Sequence, residues 1–315
     1  MLIFVANIVF KRIMLQDKLV TIICLCYNHE KFVIEALESV MQQSYKNIEL
    51  IIVDDCSSDN SVHNIKKWLA NYPAIRFIAN ETNVGNTKAF NNALAFATGD
   101  FIIDFSADDI LYPNSVNQQI QCFDSCQFKN LGVVYGNASL ILEDGSFNSF
   151  YFPVNNVNKI IEPRKTGNIY KSVISGGNAI CSVSAMYKKE VFDALKGYDE
   201  NLLYEDLDFW IRASRLYEFD FVDAVLIKKR ILSNSLGSGF QIKTDFRSRK
   251  INHSTYCSLK KALQLNKNKS EHDALLKRIH HEIYSNYYLK DYNLMLLCLS
   301  LALKTRLKSF FSKKS

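Results

Sequence analysis

Acidic side chains follow two apolar runs of the sequence, and each run has the length and composition of a buried strand. The first cluster is Asp54 and Asp55 after residues 48–53, and the second is Asp108 and Asp109 after residues 101–105. The carboxyl ends of parallel strands share one edge of an α/β sheet, and ligands bind at that edge. The spacing therefore predicts that carboxylates from distant parts of the chain meet at one ligand-binding edge.

The two clusters favour different chemistry. A carboxylate at Asp55 could accept a hydrogen bond from a nucleobase N–H or a ribose hydroxyl, although a short acidic stretch can also be only a turn and a helix cap. Asp108 and Asp109 are adjacent like charges with no basic residue beside them. A divalent cation such as Mg²⁺ or Mn²⁺ would relieve their repulsion and bridge to diphosphate oxygens. The alternative for this pair is helix capping, and their place after a buried strand favours the cation.

A third acidic group, at Glu205 and Asp206, directly precedes a helical pattern with Phe209 and Trp210 on its apolar face. An acid at this position can simply be the favourable charge at a helix N-terminus. It can also be a general base that takes a proton from an attacking hydroxyl. Both interpretations place Asp206 at the first turn of the helix.

Strand-like and helix-like runs alternate along the first two-thirds of the chain. The predicted strands are 20–26, 48–53, 75–79, 101–105 and 133–135, and the predicted helices are 30–43, 57–69, 87–97, 113–128, 188–195 and 206–216. This order is typical of βαβ units and predicts an α/β fold with a doubly wound, mostly parallel, Rossmann-like sheet. After Gly239 a charged, Tyr-rich helical pattern replaces the strands, and we place a boundary there.

The composition limits the classes of partner. The chain has 315 residues, 48% of them hydrophobic, and a net charge of +6. Its basic residues do not alternate with aromatic ones as a nucleic-acid channel requires, so we predict no nucleic-acid partner and favour nucleotide diphosphates or lipid headgroups. The loop Cys26–Glu30 contains no glycine, which argues against a nicotinamide dehydrogenase and against a nucleotidyltransferase.

The two ends of the chain differ from its middle. Residues 1–18 are predicted to be an N-terminal extension, because the apolar start is too short to span a bilayer and its basic residues follow it. Near the other end an apolar stretch runs into Lys304, Arg306 and Lys308 without an acid. This pattern suits a helix on an anionic membrane surface, and it equally suits a core helix with a basic end or a homodimer contact.

The sequence resembles the family 2 inverting glycosyltransferases of the GT-A fold, of the bacterial surface-polysaccharide type. The resemblance covers residues 19–236 and rests on several motifs in the same order. These motifs are Val20–Ile23 leading to Tyr27-Asn28, Val53-Asp54-Asp55, Asn83-Val84-Gly85, Thr98-Gly99-Asp100, Ala107-Asp108-Asp109 and Glu205-Asp206. It implies a GT-A catalytic domain at 19–239 and a C-terminal helical segment at 240–315 that is membrane-associated or dimerising.

The resemblance also implies roles for individual residues. The nucleotide-binding set would be Tyr27, Asn28, Asp55, Asn83, Gly85, Lys88 and Asp108, with Tyr27 near uracil and Asp55 on its edge. Asp108 and Asp109 would hold Mn²⁺ or Mg²⁺, with Asp109 the direct ligand, and Asp206 would be the catalytic base. Gly176, Gly177, Asn178 and Glu205 would lie near the donor sugar and the acceptor.

Three positions depart from the family pattern. Ser106 stands where many members have an acid, Leu25 and Cys26 replace a common Pro-Thr or Pro-Ala, and Leu232 stands where many relatives have a metal-binding histidine. Leucine cannot bind a metal, so any cation would depend on Asp109, diphosphate and water, with a lower affinity than in relatives that have the histidine.

The expected activity is a metal-dependent, inverting transfer of a hexose or N-acetylhexosamine from a UDP-sugar to a hydroxyl. The expected acceptor is a glycan or a lipid-linked oligosaccharide in O-antigen or capsule synthesis. This places the protein in the cytoplasm, at the inner face of the cytoplasmic membrane. The alternative is a non-catalytic GT-A homologue that binds a nucleotide sugar or a glycan, which the residues at 106 and 232 would favour.

Overall fold

The computed structural model describes residues 18–177, 179–232 and 246–312. The chain divides into two structural units. Of the described residues, one unit contains 18–164, 181–198 and 219–231, and the other contains 165–177, 179–180, 199–218, 232 and 246–312. The predicted N-terminal extension, except Lys18, and the predicted boundary at Gly239 lie outside the described residues.

The first unit is an α/β unit built on one mixed sheet. Its strands are β1 (Val20–Cys26), β2 (Ile48–Asp54), β3 (Arg76–Ala79), β4 (Phe101–Ser106), β5 (Ile110–Leu111), β6 (Leu131–Ile141), β7 (Phe147–Phe150), β8 (Met186–Lys188) and β9 (Glu218–Arg230). In the described residues the strand order is β3-β2-β1-β4-β8-β6-β9-β5, and β7 pairs with β6. The predicted α/β fold class is therefore confirmed.

The sheet has a parallel part and an antiparallel part. Strand β1 pairs in parallel with β2 and with β4, and β2 pairs in parallel with β3. Strand β8 then pairs antiparallel with both β4 and β6. The alternation of strands and helices in the sequence predicts the parallel part. Strand β1, an almost unbroken apolar run, is buried at every residue, as a strand of a parallel sheet covered on both faces should be.

Helices of the α/β unit connect these strands. They are α1 (Val33–Met41), α2 (Ser61–Leu69), α3 (Asn86–Leu94), α4 (Ser115–Ser125) and α6 (Lys189–Leu195). Helix α1 buries Val33, Ala36, Leu37 and Val40, which recur at helical spacing and form one apolar face. Each of α1, α2 and α3 starts within a few residues of the end of a parallel strand, so the loops at that sheet edge are short.

The second unit is helical in the residues described. It contains α5 (Tyr170–Ile174), α7 (Asp206–Leu216), α8 (Phe246–Leu265), α9 (Lys269–Tyr288) and α10 (Tyr292–Phe311). Helix α7 has the predicted bounds and buries Phe209 and Trp210. Helices α9 and α10 form a hairpin in which Ser309 Oγ donates a hydrogen bond to Asp273 Oδ1 at 2.7 Å.

Candidate functional site

The parallel strands end together at one edge of the α/β unit. In the sheet register Cys26 lies beside Asp54, and Leu25 lies beside Ser106. The loops that follow β1, β2 and β4 therefore start next to one another. Backbone hydrogen bonds continue this contact beyond the strands, from Asp55 N–H to the Cys26 carbonyl and from Ala107 N–H to the Leu25 carbonyl, both at 2.9 Å.

Asn28 joins the first two loops. It has a positive φ of 58°, which asparagine tolerates better than most residues. Its backbone N–H donates to Ser57 Oγ at 2.9 Å, and its Oδ1 accepts from Ser58 N–H at 2.8 Å. The predicted nucleotide-binding residue Asn28 thus uses its side chain to fix the loop after β2.

The carboxylate of Asp55 holds the loop that precedes α3. Its Oδ1 accepts hydrogen bonds from Asn80 Nδ2 at 2.8 Å and from Val84 N–H at 2.9 Å, and its Oδ2 accepts from Gly85 N–H at 2.8 Å. A carboxylate offers about four acceptor positions. Three of them are used within the protein, and Asp55 is only 6% exposed, so one acceptor position of Oδ2 is not used by these three bonds.

Other predicted nucleotide-binding residues lie at this same sheet edge. The side chain of Tyr27 is 47% exposed, so its ring is available for stacking. Asn83 and Lys88 are also exposed. Gly85 has a φ of +88°, and an added Cβ there would meet no heavy atom within 4 Å. The glycine is therefore required by its backbone conformation, and open space lies beside it.

The two acids after β4 have different surroundings. Asp109 is 3% exposed, and its Oδ1 accepts a hydrogen bond from the Arg230 backbone N–H at 2.8 Å. Burial and the neighbouring charge of Asp108 raise the pKa of Asp109 well above its ordinary value. The Asp108 side chain is 13% exposed and accepts a hydrogen bond from Ser106 Oγ. Asp108 is thus the more accessible of the two carboxylates.

His29 is a further residue of this edge that the sequence reasoning did not single out. Its Nδ1 lies 4.0 Å from Asp108 Oδ1. The Nδ1 atom is buried and makes no hydrogen bond with any described residue. A buried ring nitrogen without a partner is an available acceptor or metal ligand. The signal in the sequence was its position two residues after Tyr27, in the loop that follows β1.

Arg230 was also missed, and it anchors this edge from the end of β9. The side chain is 3% exposed. Its Nε donates to the Asp108 carbonyl at 3.0 Å, and its Nη2 donates to Glu35 Oε2 at 2.9 Å. Its guanidinium also lies 4.5 Å from the centroid of the Phe32 ring. One buried arginine therefore fixes the backbone at Asp108.

The predicted catalytic base belongs to the helical unit. Asp206 is the first residue of α7 and is partly exposed, and Glu205 before it is buried. The helix is held by Asp208, whose carboxylate pairs with Arg212 at 2.7 Å and with Lys261 of α8 at 2.7 Å. The role of Asp206 stays a prediction, and its position at a helix start is as expected.

The two predicted sugar-site glycines end helix α5. Gly176 N–H donates to the Val173 carbonyl, Gly177 N–H donates to the Ser172 carbonyl, and Gly176 has a φ of +76°. A glycine in the left-handed region directly after a helix is a common C-terminal cap. The structure explains the glycines in this way, and a sugar-binding role stays a prediction. Asn178 lies outside the described residues.

Comparison with known proteins identifies the family. The profile of the family described as "Glycosyl transferase family 2" matches residues 21–195, which is more than half of the chain. This chain belongs to glycosyl transferase family 2. The matched segment contains the three loops at the sheet edge and does not reach Asp206.

Two relatives of this family 2 chain illustrate the similarity. It is 29% identical to EpsE of Bacillus subtilis (strain 168) over 197 residues, which cover 61% of this chain and 66% of that protein. It is 34% identical to "UDP-Glc:alpha-D-GlcNAc-diphosphoundecaprenol beta-1,3-glucosyltransferase WfgD" of Escherichia coli over 140 residues, which cover 44% of this chain and 53% of that protein. The matches thus span between half and two-thirds of these relatives.

Solved structures establish the fold of the family 2 chain as GT-A. It superposes on Staphylococcus aureus TarS 1–349 in complex with UDP-GlcNAc with a TM-score of 0.67 and 17% identity, covering 91% of this chain and 81% of that one. The mannosyltransferase PcManGT from Pyrobaculum calidifontis, in complex with GDP-Man and Mn²⁺, gives a TM-score of 0.56 and 17% identity, covering 90% of this chain and 74% of that one. At these identities the likeness concerns the fold alone.

Two features, a cluster of metal-binding side chains and a membrane-spanning helix, are absent from the described part of this family 2 chain. Among residues 18–177, 179–232 and 246–312, no three His, Cys, Asp or Glu side chains group as a metal site. Over the same residues, no helix combines the length and the hydropathy that crossing a bilayer requires. Leu232, where the resemblance predicts a metal-binding histidine in relatives, is described and partly exposed.

Proposed function

We propose that this family 2 chain is an inverting glycosyltransferase that uses a UDP-sugar. The observation that carries the proposal is the sheet register that brings the loops of Tyr27, Asp55 and Asp108 to one edge. Tyr27 would stack on the uracil, the free position of Asp55 Oδ2 would accept its N–H, and Asn83 and Lys88 would border the phosphates. TarS with UDP-GlcNAc and WfgD with its UDP-Glc name support the choice of a UDP-hexose or UDP-N-acetylhexosamine.

The residues present fit a divalent cation with few protein ligands. Asp108 supplies a carboxylate that the solvent can reach, whereas one oxygen of Asp109 is already occupied by the Arg230 N–H. We therefore propose Asp108 as the direct ligand and Asp109 as its support, the reverse of the order that the resemblance implies. The Mn²⁺ of PcManGT supports divalent metal use in this fold. When bound, the cation would neutralise charge on the departing diphosphate.

His29 would supply a second protein ligand in place of the missing histidine at position 232. His29 Nδ1 and Asp108 Oδ1 lie 4.0 Å apart, so these two side chains would hold the cation together. The unpartnered state of the buried Nδ1 supports this assignment. Diphosphate oxygens and water would complete the coordination.

In the proposed reaction Asp206 takes the proton from an acceptor hydroxyl. The oxygen of that hydroxyl bonds to the anomeric carbon from the face opposite the diphosphate, the carbon–diphosphate oxygen bond breaks, and UDP leaves. An α-linked donor then gives a β-linked product. The name of WfgD supports a lipid-linked saccharide as the acceptor, and the pathway we propose is surface-polysaccharide synthesis.

The experiment combines a donor screen with one variant. Purified protein is assayed for UDP release from a panel of UDP-hexoses and UDP-N-acetylhexosamines, with and without Mn²⁺, and each donor's affinity is measured by calorimetry. Asp206→Asn should lower kcat at least 100-fold because the general base is lost, and should change donor affinity less than about threefold. Asp193→Asn on α6, an exposed acid that pairs with Lys189, should keep the wild-type kcat.

Two results would contradict the proposal in different ways. If Asp206→Asn keeps most of the wild-type rate, Asp206 is not the base. If the wild-type protein binds a UDP-sugar without turning it over with any acceptor, the alternative of a non-catalytic binder is correct.

A further inference from the structure

Helix α10 has two apolar faces, and only one of them is buried. The buried face packs within the helical unit through Leu294, Cys298, Leu301, Thr305 and Ser309. The other face carries Tyr292, Leu296, Leu299, Leu303, Leu307 and Phe310, which are 44–81% exposed. We call these six residues the α10 stripe. At about 100° per residue, the stripe lies on the side of the helix opposite the buried face.

The exposed side of α10 is also basic. Lys304 and Arg306 flank the stripe, whereas Lys308 is exposed at the edge of the buried face, and the helix contains no acidic residue. Within the described part of the chain none of these three bases forms a salt bridge. A helix with a solvent-facing apolar stripe between unneutralised cations is typical of peripheral membrane helices.

Aromatic residues lie at both ends of the stripe. At the turn between α9 and α10, Tyr287, Tyr288 and Tyr292 are 56%, 79% and 53% exposed, and at the other end Phe310 and Phe311 are 81% and 80% exposed. Tyrosine is enriched at the boundary between lipid and water because its ring is apolar and its hydroxyl is polar. An exposed cluster of this size is unusual on a surface that faces only water.

We propose that the α10 stripe lies on an anionic lipid surface, with the helix axis parallel to it and Lys304 and Arg306 against the headgroups. Charge complementarity favours this occupant over a second copy of the chain, because two α10 stripes face to face would bring together four flanking cations, Lys304 and Arg306 of each copy, with no acid on either helix. The proposal goes beyond the glycosyl-transfer reaction and does not depend on it.

The experiment measures binding of the full chain to vesicles by sedimentation. Vesicles of phosphatidylcholine with one-third phosphatidylglycerol are compared with phosphatidylcholine alone, and we expect binding that is at least tenfold stronger to the anionic vesicles. Leu303→Glu combined with Leu307→Glu should weaken that binding at least tenfold. Both positions are more than half exposed, so the thermal unfolding midpoint should not change.

Two matched pairs of charge-reversal variants distinguish a specific contribution of the bases on α10 from an effect of the net charge of the protein. Lys304→Glu with Arg306→Glu should lower anionic-vesicle binding at least tenfold, since each base near the surface contributes about fivefold. Lys66→Glu with Lys67→Glu, two exposed bases of α2, changes the net charge equally and should lower it less than threefold. Equal effects of the two pairs, or equal binding to both kinds of vesicle, would overturn the proposal.

The same samples test the competing occupant. If light scattering without lipid shows a dimer that Leu303→Glu with Leu307→Glu converts to a monomer, and the vesicles bind nothing, the stripe is a dimer interface and our proposal is wrong.

Discussion

The backbone N–H of Arg230 donates a hydrogen bond to Asp109 Oδ1 at 2.8 Å. This bond joins the end of β9 to the loop after β4, which lies 121 residues earlier in the chain. Because it occupies one oxygen of a nearly buried carboxylate, Asp109 is placed to support the loop, and Asp108 beside it is the acid that solvent reaches. A pair of variants separates these two roles.

Asp108→Asn should lower the affinity for Mn²⁺ at least tenfold, because an amide oxygen replaces the proposed direct ligand. Asp109→Asn keeps an oxygen for the Arg230 N–H and should lower the affinity about threefold or less. Calorimetric titration of Mn²⁺ in the presence of UDP measures both. A larger loss in Asp109→Asn than in Asp108→Asn would restore Asp109 as the direct ligand.

His29→Ala should lower Mn²⁺ affinity roughly tenfold, because a proposed nitrogen ligand is removed. The nitrogen itself can be detected by pulsed electron paramagnetic resonance of bound Mn²⁺, in which an imidazole coupling should be present in the wild type and absent in His29→Ala. His63→Ala, at an exposed position of α2, is the control and should change neither quantity. An imidazole coupling that persists in His29→Ala would contradict the assignment.

Tyr27→Ala should weaken UDP binding about 5- to 150-fold, since stacking an aromatic ring on a base is worth about 1–3 kcal/mol. Tyr27→Phe keeps the ring and should bind UDP within about twofold of the wild type. The comparison of the two variants by calorimetry isolates the ring from the hydroxyl. Equal losses in both would assign the contact to the hydroxyl instead.

Lys261 pairs with two carboxylates, Asp199 and Asp208. Burial raises the pKa of Asp199, but its hydrogen bonds with Lys261 and Asn201 outweigh burial and leave the pKa at about 2. A carboxyl pKa below that of the unfolded chain contributes stability at neutral pH, and this contribution is lost as the pH falls from about 4 towards 2.

Asp199→Asn should therefore lower the free energy of unfolding by about 2 kcal/mol at pH 7 and by much less near pH 2. Urea denaturation at the two pH values measures the difference, and Asp193→Asn should change it by less than about 0.5 kcal/mol at pH 7. A loss that is the same at both pH values would exclude the ion pair as its cause.

Local patterns in the sequence predicted the bounds of elements that are buried along their whole length or along one regular face. Strand β1 and helix α7 have the predicted bounds, because a nearly unbroken apolar run and a regular helical face each specify their element. Strand β9 was not predicted, although it is 13 residues long. Its sequence does contain an alternating stretch at residues 218–221 and an apolar run at residues 224–227. Both signals were overlooked, and its pairing with β5, more than 100 residues away, has no local signal.

The residues of the site also divide into those that a local sequence pattern identifies and those that it does not. The acids at strand ends were found because their position in a βαβ unit determines where they lie. Arg230 and His29 were missed because their importance comes from contacts with residues far away in the chain. No local pattern indicates that one arginine would bond both Glu35 and the Asp108 carbonyl. Gly176 and Gly177 are the reverse case. The sequence singled them out for the sugar site, and a local helix cap is sufficient to explain them.

The three hydrogen bonds that Asp55 accepts have a kinetic consequence. They hold the segment from Asn80 to Gly85 in place before any donor arrives. Preorganisation of this kind removes the entropy loss of ordering a segment during association. The donor should consequently be captured in one step, at a rate set by diffusion and orientation rather than by a slow isomerisation of the free protein.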